Sequence, residues 1–244
     1  MFNADQMNII WNAAKNTKNQ GEVAVFNRIN NNPALRGQFD DIQLNIIKYC
    51  AEECKRQMSG NMSVYNMVDA WAEAISFSGL FDGHAYEANS DNVCITCGIT
   101  GSYGHTQEYH DKYDKPNITL DMIERFGVLV EPQKNMKGYR TIRIGVGNGL
   151  EWIEKVPPER VIPQLTMLLE SYYEIKDRGD AFEEAHYAPY NRSSSHEDSF
   201  YYEYEQIHPF VDGNGRTGKI VYNYLKGTLL DPQMPPDFYG VGNP

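Results

Sequence analysis

The chain has 244 residues, 41% of them hydrophobic, with 17 tyrosines and 10 phenylalanines, a composition that can fill a core and excludes a disordered chain. Its 22 Lys and Arg stand against 33 Asp and Glu, a net charge of −11, and a surface of that sign repels nucleic-acid backbones and anionic membranes, so neither is an expected partner. No basic segment followed by a long apolar run opens the chain, and no apolar stretch approaches the roughly 18 residues of a membrane span, so a cytoplasmic protein is expected.

Taken in chain order, residues 1–79 read as helices. Asp5–Lys15 places Met7, Ile10, Trp11 and Ala14 on one side, and Gly21–Ile29 does the same with Val23, Phe26 and Ile29 before Asn31-Asn32-Pro33 breaks the chain. Asp40–Met58 carries a stripe of Ile42, Ile46, Cys50 and Cys54, in which both cysteines serve as small core residues. Ser63 is positioned to cap a further helix whose inward face is Val64, Met67, Val68, Trp71 and Ile75, with Gly79 ending it. Residues 80–117 are a long Gly-, Asn-, Asp-, His- and Tyr-rich stretch. Within it Cys94-x-x-Cys97 is half of a zinc knuckle, but a structural zinc needs two further ligands, and His84, His105 and His110 do not supply a second tightly spaced pair. A reduced pair in a loop is the expected state.

Thr119 can cap the next helix, TLDMIERFGVLV. In GYRTIRIGV (Gly138–Val146) two sets of residues alternate, which predicts a strand, and Gly147-Asn148-Gly149 can fold it back onto LEWIEKV as a hairpin. Pro157-Pro158 opens a helix running to Ile175, Asn191–Asp198 is a polar loop, and Phe200, Tyr204 and Ile207 mark a helix that leads into His208. Gly215–Leu229 is the last helix, with Ile220, Tyr224 and Leu225 inward. The expectation is a mostly α fold with one hairpin: a helical region with a long loop over 1–110, a core over 111–232 and a Pro/Gly-rich tail over 233–244.

The chemistry concentrates in HPFVDGNGRTGK (His208–Lys219). Gly213, four residues, and Gly218-Lys219 imitate a phosphate-binding P-loop, but that motif needs Ser or Thr after the lysine and Ile220 stands there. A second reading uses every residue. Gly213, Asn214 and Gly215 form a tight turn opening a helix, whose free amides and dipole make an anion nest. Asn214 adds a side-chain donor, Arg216 a cationic fork in the first turn, and Lys219 a second cation on the same face. Asp212 at the lip can hold Mg²⁺ between phosphates, and His208 can take a proton from an attacking hydroxyl.

His208-Pro209-Phe210-Val211-Asp212-Gly213-Asn214-Gly215-Arg216 resembles the signature of the Fic family, His-Pro-Phe-x-Asp/Glu-Gly-Asn-Gly-Arg-x-x-Arg, and fits it at each fixed position through Arg216. The aromatic helix before it and the hairpin before Pro157 are also similar, so the resemblance covers about residues 118–230. It implies a Fic-type helical core with a β-hairpin flap over the active site, preceded here by a helical extension, and a protein adenylyltransferase: AMP from Mg-ATP moves to a Ser, Thr or Tyr hydroxyl of a target protein. By resemblance, His208 is the base, Asp212 binds Mg²⁺, Gly213, Asn214, Gly215, Arg216 and Lys219 hold the phosphates, and Phe210 anchors the loop. The flap, Tyr139, Arg140, Thr141, Ile142 and Arg143, docks an extended target segment by strand addition.

The chain departs from the signature at Lys219, where the family has arginine. A weaker outer-phosphate clamp leaves open a transferase of another group, such as UMP or phosphocholine, or a kinase; a non-catalytic interaction protein that keeps the fold is a third reading. In the family that arginine also meets an inhibitory glutamate in a Ser/Thr-x-x-x-Glu-Gly/Asn helix. Ser193…Glu197 has the spacing, but Asp198 follows, so no such helix is evident and a separate inhibitor protein is a possible partner.

Overall fold

Asn3 and Asp40 each accept a hydrogen bond from the amide three residues on, while Gln6 and Gln43 reach back to the cap backbone, so α1 (Ala4–Asn16) and α4 (Asp41–Arg56) both begin in closed capping boxes. The two glutamines then bond each other at 3.0 Å and tie the helix starts together. In this computed structural model, which describes residues 2–79, 116–147, 152–178 and 195–236, the N-terminal set is completed by α2 (Val23–Asn30), α3 (Pro33–Arg36) and α5 (Asn61–Phe77). Val64, Met67, Val68, Trp71 and Ile75 all point inward from α5. Its cap is Gly60, at φ 88, rather than Ser63, whose hydroxyl bonds the Ser59 carbonyl from inside the first turn.

Two residues assigned to apolar stripes lie at their edges. Trp11 is 37% exposed with the Lys15 ammonium 4.7 Å from its ring, and Ile42 is 46% exposed, while Ile10, Ala14, Ile46, Cys50 and Cys54 carry the burial. Cys50 and Cys54 are free thiols whose pKa burial pushes up, that of Cys54 to about 12, as inert core cysteines require.

Thr119 caps α6 (Leu120–Val130) through the Met122 amide, and α7 (Pro132–Asn135) follows. Then come β1 (Gly145–Gly147), β2 (Trp152–Glu154), α8 (Pro158–Arg178), α9 (His196–Ile207) and α10 (Asn214–Lys226). α5 packs along α6 and α10, and the Trp71 indole donates to the Leu229 carbonyl at 2.8 Å. One hydrophobic core runs from Phe2 to Leu229, so the N-terminal helices and the motif helices bury their faces against each other. Ser195 caps α9 with Asp198 closing the box, which makes residues 196–198, expected in a loop, the first turn of a helix.

The hairpin is antiparallel with Val146 opposite Ile153. Its first strand begins at Gly145, not at Gly138 as the alternation predicts. Gly138 sits at φ 78 against the Glu124 carboxylate, and the next two side chains turn into the protein, so no pleat can start there. Residues 148–149 of the expected 147–149 turn, the Cys94/Cys97 pair with its neighbouring histidines, and the tail from 237 onward lie outside the described residues. No helix among the described residues is long and apolar enough to cross a membrane.

Candidate active site at the α9–α10 turn

α9 ends when His208 adopts a left-handed conformation, φ 52, while its amide still donates to the Tyr204 carbonyl at 2.9 Å. Pro209 cannot extend the helix. Phe210 then drops fully buried onto α6, where Gly127 leaves room for its ring, and Tyr139 stacks on it with centroids 5.3 Å apart. Gly213, at φ 73, lies close under Val130, where a side chain would collide. From there α10 starts, presenting the first-turn amides that no preceding turn can satisfy.

Several side chains hold this loop rigid. The Asn214 amide accepts from the Phe210 N–H at 2.8 Å and donates to the Phe210 carbonyl at 2.9 Å, so it staples the loop instead of offering a free donor to a ligand. Asn135 donates to the carbonyls of Gly127 and Asp212 at 2.9 and 2.8 Å. Arg140 is 3% exposed; its guanidinium donates to the carbonyls of His208 at 2.7 Å, Ile207 at 3.1 Å, Ile142 at 2.9 Å and Val156, and its amide to that of Pro209 at 3.0 Å. Arg140 therefore clamps the hairpin base onto the motif loop, and Tyr139, whose hydroxyl bonds the Leu120 carbonyl, lies beside it. The placement of these two on a docking edge is corrected. Their side chains go to the core because the loop's carbonyls and the Phe210 ring need partners. Thr141, Ile142 and Arg143 are exposed, and Arg143 pairs with Glu154 across the hairpin at 3.0 Å.

His208 lies on the wall of an open cleft of about 400 Å³ bordered by Asp212, Gly213, Asn214, Gly215, Gln57 and Arg143–Val146. Its Nδ1 is 2.8 Å from the Glu205 carbonyl. A carbonyl only accepts, so Nδ1 carries the proton and Nε2 keeps its lone pair. Burial pulls the imidazole down to about 4, against the pull of the Glu205 carbonyl, so the ring is neutral at ordinary pH.

The charged residues of the motif are paired differently from expectation. Asp212 takes the Gly213 amide on Oδ1 at 2.6 Å and the Lys134 ammonium on Oδ2. Burial works to raise its pKa, but Lys134 and the amide outweigh that and hold it below the usual carboxylate value. Arg216, 2% exposed, faces Glu131 at 3.0 Å and the Val130 carbonyl at 3.4 Å, with Asp212 3.8 Å away. Lys219 pairs with Glu53 on α4, a carboxylate 1% exposed that also accepts from Gln57 at 2.6 Å. Among the described residues no group of three or more His, Cys, Asp or Glu could form a metal cage. Glu197, the glutamate at inhibitory spacing, accepts from Tyr172 at 2.9 Å and joins α9 to α8.

Sequence reading missed Glu53, Gln57, Glu131, Lys134 and Asn135. Glu53 left one signal, a carboxylate on the buried flank of α4 immediately before Cys54 in the apolar stripe. The other four sit among ordinary polar residues and carried none.

Residues 123–225 match the family model described as Fic/DOC family. The fold is similar to the crystal structure of a Fic domain containing signaling protein from Bacteroides thetaiotaomicron VPI-5482, at 14% identity over 91% of this chain and 72% of that one, with a TM-score of 0.45. No curated protein matches the chain.

Proposed function

We propose that this chain, whose residues 123–225 belong to the Fic/DOC family, is a protein adenylyltransferase that moves AMP from Mg-ATP to a hydroxyl of a target protein. One observation carries the reading: a neutral His208, with Nδ1 committed to the Glu205 carbonyl, borders the same cleft as the Gly213–Gly215 turn that opens α10. A proton acceptor and an anion nest on one wall are what displacement at phosphorus asks of a protein.

In that step the target hydroxyl gives its proton to Nε2 of His208 as its oxygen bonds to the α-phosphorus. The bond from that phosphorus to the bridging oxygen breaks, and pyrophosphate leaves. The first-turn amides of α10 face the charge that builds on the phosphate oxygens. Arg216 shapes the turn through Glu131 and Val130. Exposed Thr141, Ile142 and Arg143 offer an edge for an extended target segment.

Asp212 fits a magnesium ion. It is a cleft-lining carboxylate, and Lys134 shows that its Oδ2 attracts a cation, while Mg²⁺ commonly uses one carboxylate plus substrate phosphates. When bound there, the ion would neutralise phosphate charge. A second reading has a specific basis. With Lys219 committed to Glu53, no motif cation is free for an outer phosphate, which suits a donor that carries only a diphosphate, such as a phosphocholine donor.

The test is incubation of the protein and a cell extract with ATP or UTP labelled at the α-phosphate. Label should pass from ATP to protein, and His208→Ala should abolish transfer while leaving nucleotide binding nearly intact. Equal labelling by the His208→Ala variant would overturn the assignment; transfer from a diphosphate-linked phosphocholine donor and none from ATP would favour the second reading.

A further inference from the structure

The transfer step leaves an imidazolium at His208, buried, in a place where burial disfavours charge. Something must bear that cost, and the backbone carbonyl of Glu205 accounts for only part of it. The Glu205 carboxyl lies beside the ring, with Oε2 3.5 Å from Nδ1. Glu205 is 7% exposed, and its Oε1 accepts no hydrogen bond. Room for Oε1 comes from Gly218, where a side-chain carbon would stand 3.0 Å away.

Resting on the transfer reading above, we propose that Glu205 is a positioning residue whose carboxylate stabilises the His208 imidazolium while Nε2 holds the proton of the target hydroxyl.

The surroundings suit that task. Lys155, after β2, donates to the Glu205 carbonyl at 3.0 Å, and Lys219 on α10, Glu53 on α4 and Tyr201 on α9 also face the carboxyl. The charges alternate: Glu53 pairs with Lys219, Lys219 attracts Glu205, and Glu205 is next to His208. His208 itself is faced by the Glu205 backbone carbonyl and by the charges of Lys155, Arg140 and Asp212, with the Glu205 carboxyl 3.5 Å from its Nδ1. Burial, followed by the opposing pull of Lys219 and Lys155, leaves the Glu205 carboxyl raised to about 7. Near neutrality it can therefore exist in either form, and the transfer step favours the ionised one. The proton count is unchanged: one proton leaves the hydroxyl and resides on His208, and Glu205 gains none. A purely structural glutamate would hold the loop equally well as a glutamine.

The test compares Glu205→Gln and Glu205→Asp with wild type, with thermal melting as the check on folding. E205Q should lower kcat about 10- to 100-fold, one to two decades of lost proton affinity at the base, with KM for ATP unchanged. E205D, which keeps the charge, should recover part of the loss. Wild-type kcat should rise with pH through about 7 as Glu205 ionises, and the E205Q profile should be flat there. In the nucleotide-free protein, where the His208 ring stays neutral near pH 7, its ¹⁵N signals should move in wild type between about pH 6 and pH 8 as Glu205 beside it ionises, and should stay fixed in E205Q. Wild-type kcat in a folded E205Q, or His208 ring signals in wild type that do not move between about pH 6 and pH 8, would overturn the proposal. Should E205Q fail to fold, an E205D variant with wild-type kcat and an unshifted His208 would overturn it equally, because its carboxylate is drawn back from Nδ1. If wild type transfers nothing from any nucleotide, the function reading fails, but the NMR comparison still decides whether Glu205 and His208 are coupled.

Discussion

Gly127→Ala is a substitution whose local and tertiary effects oppose each other. Gly127 lies inside α6, and replacing glycine by alanine in a helix interior favours the helix by about 1 kcal/mol. The added methyl would stand 2.5 Å from Cε2 of Phe210 and nearer still to Cζ and Cε1. Carbon atoms in contact need about 3.5–4.0 Å, so the ring must move by more than about 1 Å. Phe210 is fully buried between Gly127 and Tyr139, and overpacking of such a site costs about 1–3 kcal/mol. The clash outweighs the helix gain, and the net loss of stability is about 0–2 kcal/mol, small enough to leave a folded protein. Activity should suffer more. Phe210 is bonded at both its N–H and its carbonyl to Asn214, so a displaced ring drags the loop between His208 and α10. A misplacement of about 1 Å can cost about 100-fold in rate. Urea denaturation and labelled-nucleotide transfer on the same sample measure the two effects, and adding Phe210→Leu, which shortens the intruding ring, should restore part of the rate. A folded Gly127→Ala protein with wild-type transfer would refute the claim that Phe210 sets the position of the loop.

Lys219→Ala takes from buried Glu53 the nearer of its two cations and leaves only Arg56, 3.8 Å away, which should destabilise the protein by about 3 kcal/mol in urea, and Glu53→Gln added to it should return much of that loss. Equal midpoints for wild type and Lys219→Ala would mean the pair contributes nothing. Glu205 also makes stability depend on pH. Its folded pKa, raised to about 7 by burial despite Lys219 and Lys155, exceeds the ordinary 4.5, so its contribution is full below 4.5 and is lost as pH rises through 7. His208, lowered to about 4 from 6.5, acts in the opposite sense, adding stability as pH rises through that window. The stability of Glu205→Gln relative to wild type should therefore increase from pH 5 to pH 8, and a constant difference across that range would show that the Glu205 carboxyl is not raised.

The motif residues were legible in order because their roles are local. A left-handed glycine, a helix start and a histidine four residues before the lip are all set within the nine positions from His208 to Arg216, and the structure puts Gly213 at φ 73 just where the turn requires it. The helices were legible for the same reason, since apolar spacing of three and four names an inward face whatever lies opposite. Edge residues such as Trp11 and Ile42 escaped because spacing locates the centre of a stripe better than its margin.

What the sequence determined by itself was which residues stand together along one turn or one helix face. What only the tertiary fold decided was where the long charged side chains end. Lys219 reaches Glu53 across 166 positions, Arg216 reaches Glu131 across 85, and Lys134 reaches Asp212 across 78. Arg140, placed by alternation on an open edge, spends its guanidinium on the carbonyls of Ile207 and His208. The reason is physical: burial of apolar faces is largely indifferent to register between distant segments, but a buried charge must find its counter-charge or a set of carbonyls, and only the packing of α4, α6 and α10 against one another determines which is within reach.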